Sequence, residues 1–376
     1  MRIGVPKEIK EEEGRVGITP SVVKILSKNG HDIYIEKEAG KKSGFSDSEY
    51  GLAGAKIIKN PKDVWDCDMI VKVKEPQEHE FDLLKPKSIL FTFLHLAACP
   101  ELTKVLLKKK ITGIDYATIQ LSNGSLPILK PMSEIAGKIA TQKGAQYLEK
   151  INGGKGILLD GASVLVLGGG NAGVSAARVA LGMGAKVTIM EENANKDFKI
   201  TTYMLNQCGP ISTTRFRFIG FSKNGLEENI KKTDLLIGAT LVPGDNTPKI
   251  VTREMVKSMG EGSVIVDISI DQGGCVETSR PTSHKKPTFK KYGVIHYCVT
   301  NMPAIAPRTA TLALVEQTRE YLHSLTNISF YDLVKYFHAE KNDSFLKGVN
   351  TFNGFITHEG LAKAMGVKCV PLSKLL

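Results

Sequence analysis

Residues 163–191 read as an apolar run from Ser163 to Leu167, then Gly168-Gly169-Gly170-Asn171-Ala172-Gly173, a helix-forming run from Val174 to Met183, and a second apolar run from Lys186 to Met190 that ends at Glu191. This stretch constrains the fold more than any other. Glycines at these spacings between a strand and a helix form a phosphate-binding turn. Gly168 permits the tight turn, Gly170 lets a pyrophosphate approach the backbone, and Gly173 lets the helix pack closely on the strand. Asn171 and Ala172 open the helix, whose free N–H groups then face the anion. An acid about 20 residues further on accepts hydrogen bonds from the ribose hydroxyls and repels a 2′-phosphate, which favours NAD over NADP. Glu191 occupies that place, and the neighbouring Glu192 is the alternative. A bare glycine turn would carry little weight; the strand, helix and acid around it supply the argument.

The chain has 376 residues, which suggests two domains at about 100 to 200 residues each. Its 42% apolar and 24% charged residues place it among globular proteins and exclude a disordered chain. The net charge of +11 is carried by lysines scattered among acids, with no aromatic interleaving, so a solvated surface is the better reading than a nucleic-acid partner. The excess can also steer small anions toward a cleft. No apolar run reaches the roughly 18 residues that cross a bilayer, and Met1 to Lys10 lacks a signal-peptide core, so a cytoplasmic location is expected. The six cysteines, at 67, 99, 208, 275, 298 and 369, show no metal-ligand or redox spacing and read as reduced, mostly buried thiols. No histidine pair has ligand spacing, so no metal is expected.

Residues 1–130 alternate short apolar runs (Arg2 to Pro6, Asp32 to Glu36, Met69 to Val73, Ser88 to Leu94, Ile111 to Tyr116) with helix-like segments. That alternation predicts a parallel sheet with crossover helices. Met132 to Lys150 then has a one-sided apolar pattern suited to a connecting helix. A second βα series follows, with strands at Ser163 to Leu167, Lys186 to Met190, Asp234 to Ile237, Ser263 to Ile268 and Val294 to Val299. The fold expected is α/β with two doubly wound domains and a cleft between them. Residues 1–130 begin a flavodoxin- or Rossmann-like substrate domain, 131–303 form a Rossmann NAD-binding domain led by the connecting helix, and 304–376 return by a helix to complete the substrate domain.

Ligands of open α/β sheets bind beyond the carboxyl ends of the strands. Lys74, His95, Asp271 and Asn301 each follow a predicted strand, two in each domain, and are expected to converge across the cleft. Arg15, in the polar loop after the first strand, offers a planar fork for a carboxylate. Each also has a plainer reading. Arg15 and Lys74 read equally as surface charges, Asp271 as a turn former before Gln272-Gly273-Gly274, and His95, inside the apolar stretch Leu90 to Ala98, as a buried neutral histidine.

Longer stretches carry a resemblance. They include Arg2-Ile3-Gly4-Val5-Pro6-Lys7-Glu8 with Arg15-Val16 downstream, Val71-Lys72-Val73-Lys74-Glu75-Pro76, Phe93-Leu94-His95-Leu96-Ala97 and Pro131-Met132-Ser133-Glu134-Ile135-Ala136-Gly137. Ile270-Asp271-Gln272-Gly273-Gly274-Cys275 and Tyr297-Cys298-Val299-Thr300-Asn301-Met302-Pro303 continue the match. In these the chain resembles the alanine dehydrogenase and transhydrogenase-α family, over essentially its whole length, and its dehydrogenase branch in keeping the Phe-Leu-His motif. The resemblance implies reversible NAD-dependent deamination of L-alanine to pyruvate and ammonium. It implies that Arg15 and Lys74, with Asn301, hold the substrate, that His95 and Asp271 act as acid and base, and that Ser133, Leu241, Ile268, Asp271, Asn301 and Met302 line the cofactor. It also implies a hexamer. A catalytically silent NAD-sensing protein and a transhydrogenase-like NADH-binding subunit are the alternatives. The chain departs from the family in carrying Tyr116-Ala117, preceded by Asp115, where Tyr-Glu is usual, and in the stretch from about Asn193 to Gly225.

Overall fold

The computed structural model describes residues 1–240, 247–339 and 344–375. The chain divides into two compact units, Met1–Met132 with Ala304–Leu376, and Ser133–Pro303.

The first unit is built on β1 (Arg2–Val5), β2 (Asp32–Glu36), β3 (Lys56–Ile58), β4 (Met69–Val71), β5 (Ile89–Thr92) and β6 (Thr112–Asp115). The second contains β7 (Ser163–Leu167), β8 (Lys186–Glu191), β9 (Phe216–Gly220), β10 (Leu235–Gly238), β11 (Val264–Asp267), β12 (Thr288–Lys291) and β13 (Val294–Tyr297). Two late strands, β14 (Val349–Phe352) and β15 (Phe355–Ile356), return to the first unit. The two sheets run β15-β14-β6-β5-β4-β1-β2-β3 and β12-β13-β11-β10-β7-β8-β9. In each, the first strand of the unit has its successor on one side and a later strand on the other, so strand order reverses at β1/β4 and at β7/β10. Such reversals open the crevices where doubly wound sheets bind ligands. The central strands β4, β10 and β11 are buried throughout and almost wholly apolar, as strands inside a doubly wound sheet are.

Helices start where the local chemistry favours it. Pro20 and Pro100 open helices Pro20–Lys28 and Pro100–Lys108, where the missing N–H costs nothing and φ is already helical. The expected connecting helix is Leu129–Leu148, and it begins before Pro131. A proline in the first turn removes only an N–H that has no intrahelical partner.

β1 to β6 pair in parallel, as expected for residues 1–130, and only the returning tail makes the sheet mixed. β14 pairs antiparallel with β6, and β15 pairs antiparallel with β14 because Asn353 (φ 48°) and Gly354 (φ 89°) make a two-residue turn that reverses the chain between them. Tyr292 (φ 51°) and Gly293 (φ 77°) do the same between β12 and β13 in the second unit. β12, β9 and β3 escape the hydrophobic pattern because they are partly exposed: β12 is Thr288-Phe289-Lys290-Lys291, an edge strand with exposed lysines that blunt further pairing. No described helix is long and apolar enough to cross a membrane.

Candidate active site

In the first unit, β5, β4 and β1 lie side by side, and the segments beyond their carboxyl ends carry His95, Lys74 and Arg15. The plainer readings of these residues fail on burial. Arg15 is a buried residue at 2% exposure, and its fork is closed by Glu13: Nε donates to Oε1 at 2.8 Å and Nη2 to Oε2 at 2.6 Å. Glu13 is itself fully buried, and its Oε1 also accepts from the Arg15 N–H. Arg15 Nη1 lies 3.2 Å from the Met132 sulfur.

Lys74 is also not a surface charge. Burial, reinforced by repulsion from the nearby Arg15 guanidinium, pulls its ammonium down to a pKa of about 8. Its backbone is held by Glu8, whose Oε1 accepts from the N–H groups of Val73 at 2.7 Å and Lys74 at 3.3 Å. Glu8 in turn pairs with buried Lys72 at 3.2 Å, and Lys72 with Glu80 at 3.1 Å. Among the described residues no protein group hydrogen-bonds the Lys74 Nζ, so a cationic donor stands available at the crevice.

His95 is the opposite of the buried imidazole that its apolar surroundings suggest. The residue sits in the left-handed region at φ 49°, and its side chain is 45% exposed. Positive φ turns the ring out of the apolar run, a conformation uncommon outside glycine and concentrated at functional sites. Phe93 stacks along the ring with centroids 6.1 Å apart, and Tyr116 packs edge-on against Phe93. Nδ1 lies 3.1 Å from Glu75 Oε2.

Beside Tyr116-Ala117, where the chain departs from the family, stands an acid. Asp115, at the end of β6, is buried, with Oδ1 accepting from the Ala117 N–H at 2.9 Å and Oδ2 lying 3.4 Å from Asn350 Nδ2. Burial pushes its carboxyl up, opposed first by His95 and also by the farther His358.

In the second unit the glycines separate by role. Gly168 has φ 102°, and a Cβ there would stand 2.6 Å from the Ala239 carbonyl oxygen. A Cβ on Gly173 would lie 1.9 Å from the Gly168 carbonyl oxygen, so helix and strand approach as only glycine allows. Gly170 faces open space and begins helix Asn171–Gly182 with no side-chain cap, leaving the first-turn N–H groups for an outside acceptor. Glu191 turns onto this loop: Oε2 accepts from the Gly169 N–H at 2.6 Å and Oε1 from the Asn193 N–H at 3.0 Å, with Lys196 Nζ 3.0 Å away. Glu192 is exposed. Of the two acids, Glu191 is the one placed beside the turn. A dinucleotide pyrophosphate fits this cradle on the Gly170 side. Replacing Gly173 with alanine is expected to weaken NADH binding at least about tenfold, read by quenching of protein or NADH fluorescence, because the helix must back away from the strand that aims it. Unchanged NADH affinity in a folded Gly173→Ala protein would contradict that role.

Asp271 does not stand directly at a strand end. β11 stops at Asp267, and Asp271 lies in the short 3-10 turn Ile268–Gln272, where Gly273 at φ 89° ends the turn. Asp267 stays buried and accepts from the N–H groups of Cys275 at 3.1 Å and Val276 at 3.3 Å, which shapes the loop that carries Asp271. Asp271 Oδ1 accepts from the Asn301 N–H at 3.2 Å, and Asn301 is left-handed at φ 54°. These two candidates therefore meet although 30 residues apart. Ile268 and Ser133 are half-buried and Met302 is buried; Leu241 lies outside the described residues. All six cysteines are free thiols, but only Cys67, Cys275 and Cys298 are buried, fewer than expected.

The N-terminal domain family of alanine dehydrogenase/PNT matches residues 4–136, and its C-terminal domain family matches residues 140–359. The chain belongs to the alanine dehydrogenase/PNT family. A curated relative named alanine dehydrogenase from Methanococcus maripaludis is 48% identical over the full length of both chains, and one from Geobacillus stearothermophilus is 45% identical, again over both full lengths. A solved L-alanine dehydrogenase superposes with a TM-score of 0.89 at 43% identity, covering 97% of this chain and 99% of its own. A transhydrogenase from Sinorhizobium meliloti, at 23% identity over 96% of this chain and 99% of its own, shares the fold with a TM-score of 0.78.

Proposed function

We infer that the chain is an NAD-dependent amino-acid dehydrogenase that interconverts L-alanine, NAD and water with pyruvate, ammonium and NADH. The observation that carries this reading is the set of groups at the β1, β4 and β5 ends: a buried guanidinium, an ammonium with no hydrogen bond among the described residues, and an exposed histidine backed by a carboxylate. Relatives bearing the dehydrogenase name over their full lengths support it. The transhydrogenase likeness speaks for the fold alone.

Bound NAD would supply the acceptor for the hydride that leaves Cα of alanine. The residues of the chain do the rest. Arg15, its fork steadied by Glu13, attracts the substrate carboxylate into the crevice. Lys74 donates to the oxygen that forms on the former Cα, first in the carbinolamine and then in pyruvate, and so stabilises charge where it grows. His95 takes a proton from the water that attacks the iminium, as a general base within reach of that water. For the second unit we assign the pyrophosphate to Gly168 through Gly173, the adenosine ribose to Glu191, and the nicotinamide end to Ser133, Ile268, Asn301 and Met302. Asp271 orients water or ammonia. The reading includes assembly as a homo-oligomer, a hexamer by family resemblance, and work in the cytoplasm.

The test is NADH oxidation at 340 nm with pyruvate and ammonium, beside NADPH and 2-oxoglutarate controls and the His95→Ala variant. Turnover that needs ammonium, prefers NADH, and falls about a hundredfold or more without His95 is expected. Tight NADH binding with no amination of any 2-oxo acid would overturn the reading in favour of an NAD-sensing protein.

A further inference from the structure

The carboxylate behind His95 belongs to none of the roles above. Glu75 leaves the chain immediately after Lys74, and its side chain is 7% exposed although it carries two polar partners. Oε2 meets His95 Nδ1 at 3.1 Å, and Oε1 is paired with the Lys10 ammonium from the loop after β1. The three side chains form a line from half-exposed Lys10 through buried Glu75 to His95.

Burial would raise the Glu75 carboxyl, but hydrogen bonds from His95 and Lys10 outweigh it and hold the group well below the usual carboxylate range. An ionised carboxylate can only accept, so Nδ1 must carry the ring proton and the lone pair is left on Nε2. A histidine oriented by a carboxylate at one nitrogen is an activated base at the other. We propose that Glu75 is a positioning residue for His95: anchored by Lys10, it selects the tautomer in which Nε2 faces the reacting water and stabilises the imidazolium that forms when that water gives up its proton. The proposal rests on the dehydrogenase reading for its catalytic part only.

Other charged groups lie around the same ring. The Asp115 carboxyl at the end of β6 is opposed in its upward shift by His95 and His358; Lys74 lies next to Glu75 in the chain, and the Cys99 thiol feels both Glu75 and Lys10. Asp115 has its oxygens engaged by the Ala117 N–H and Asn350, whereas Glu75 is hydrogen-bonded to the imidazole itself. Glu75 therefore has the larger and more specific hold.

Two variants separate the hydrogen bond from the charge. Glu75→Gln keeps an amide oxygen for Nδ1 but loses the anion; Glu75→Leu loses both. The anion favours protonated His95, so its removal should move the acid limb of kcat/KM for L-alanine, the direction in which His95 must be neutral, to lower pH by about one unit in Glu75→Gln, with turnover at alkaline pH retained within about tenfold. Glu75→Leu should lower kcat about a hundredfold while the KM for pyruvate stays within about threefold. A readout independent of turnover is the carbethoxylation of His95 by diethyl pyrocarbonate against pH, followed by peptide mass spectrometry, since only the neutral ring reacts. Its midpoint should fall by about one unit in Glu75→Gln. An unchanged midpoint in Glu75→Gln overturns the proposal whatever the activity. A shifted midpoint in a wild-type protein that aminates no oxo acid upholds the hold of Glu75 on His95 and overturns the dehydrogenase reading instead.

Discussion

Replacing Lys74 with methionine is expected to lower the turnover of pyruvate amination about a thousandfold, equivalent to about 4 kcal/mol of barrier, while NADH affinity stays within about threefold. The size follows from the site. The ammonium is mostly buried, has no hydrogen bond from the protein among the described residues, and lies close to Arg15 and Glu13, so a substrate oxygen gains a strong donor that water does not rival. Methionine keeps the apolar stem and removes only the charged end. The same residue sets a pH dependence. With a pKa drawn down to about 8, mainly by burial, the free protein holds Lys74 charged below that pH and loses the charge above it. The value of kcat/KM for pyruvate should therefore decline as pH rises through about 8, and Lys74→Arg, whose guanidinium stays charged, should lack that decline even if its maximum is low. An alkaline limb that persists unchanged in Lys74→Arg would remove Lys74 from the role. Stopped-flow and steady-state assays across pH 6.5–10 decide it.

Glu13→Ala should destabilise the protein by about 3–5 kcal/mol, because it leaves a guanidinium buried without its carboxylate. Both partners are almost inaccessible, and the bidentate geometry, at 2.8 and 2.6 Å, leaves no room for water to substitute fully. Glu13→Gln, which keeps one acceptor and loses the charge, should cost less. Urea titration followed by circular dichroism measures both, and the KM for pyruvate should rise in parallel as the Arg15 fork loses its fixed plane. Stability within about 1 kcal/mol of the parent for Glu13→Ala would mean that Arg15 finds another partner and that Glu13 does not position it.

The limits of sequence reading fall at particular residues. The glycine turn was legible because its determinants are local: a positive φ at Gly168 and the close approach at Gly173 are demands on the backbone that few residues besides glycine can meet. Strand-end reasoning points to Lys74 and His95, and the structure sets them beyond the ends of neighbouring strands, with Arg15 after the next one. Between the two readings of His95 the sequence does not decide, since apolar neighbours in the chain say nothing about a left-handed backbone that points the ring away from them. Asp271 was assigned to a strand end because the apolar run Val264 to Ile270 hides the turn that begins at Ile268. Glu8, Glu13 and Glu75 were passed over as functional groups. An acid within a charged loop carries no sign that it will be buried against a particular base.

The sequence by itself determined the α/β class, the glycine turn with its strand and helix, and membership of a family whose motifs run through the whole chain. These rest on hydrophobic periodicity, backbone sterics and contiguous motifs, all read within a few residues. Only the tertiary structure decided the strand order β5-β4-β1, the antiparallel returns of β14 and β12, the burial of Asp115, and the pairing of Glu13 with Arg15, Glu8 with the Lys74 backbone and Glu75 with His95. Glu8 reaches Val73 across 65 residues and Glu75 reaches His95 across 20. Partners that far apart are chosen by how the sheet closes and by which charges burial forces together, and neither is written in the spacing of the chain.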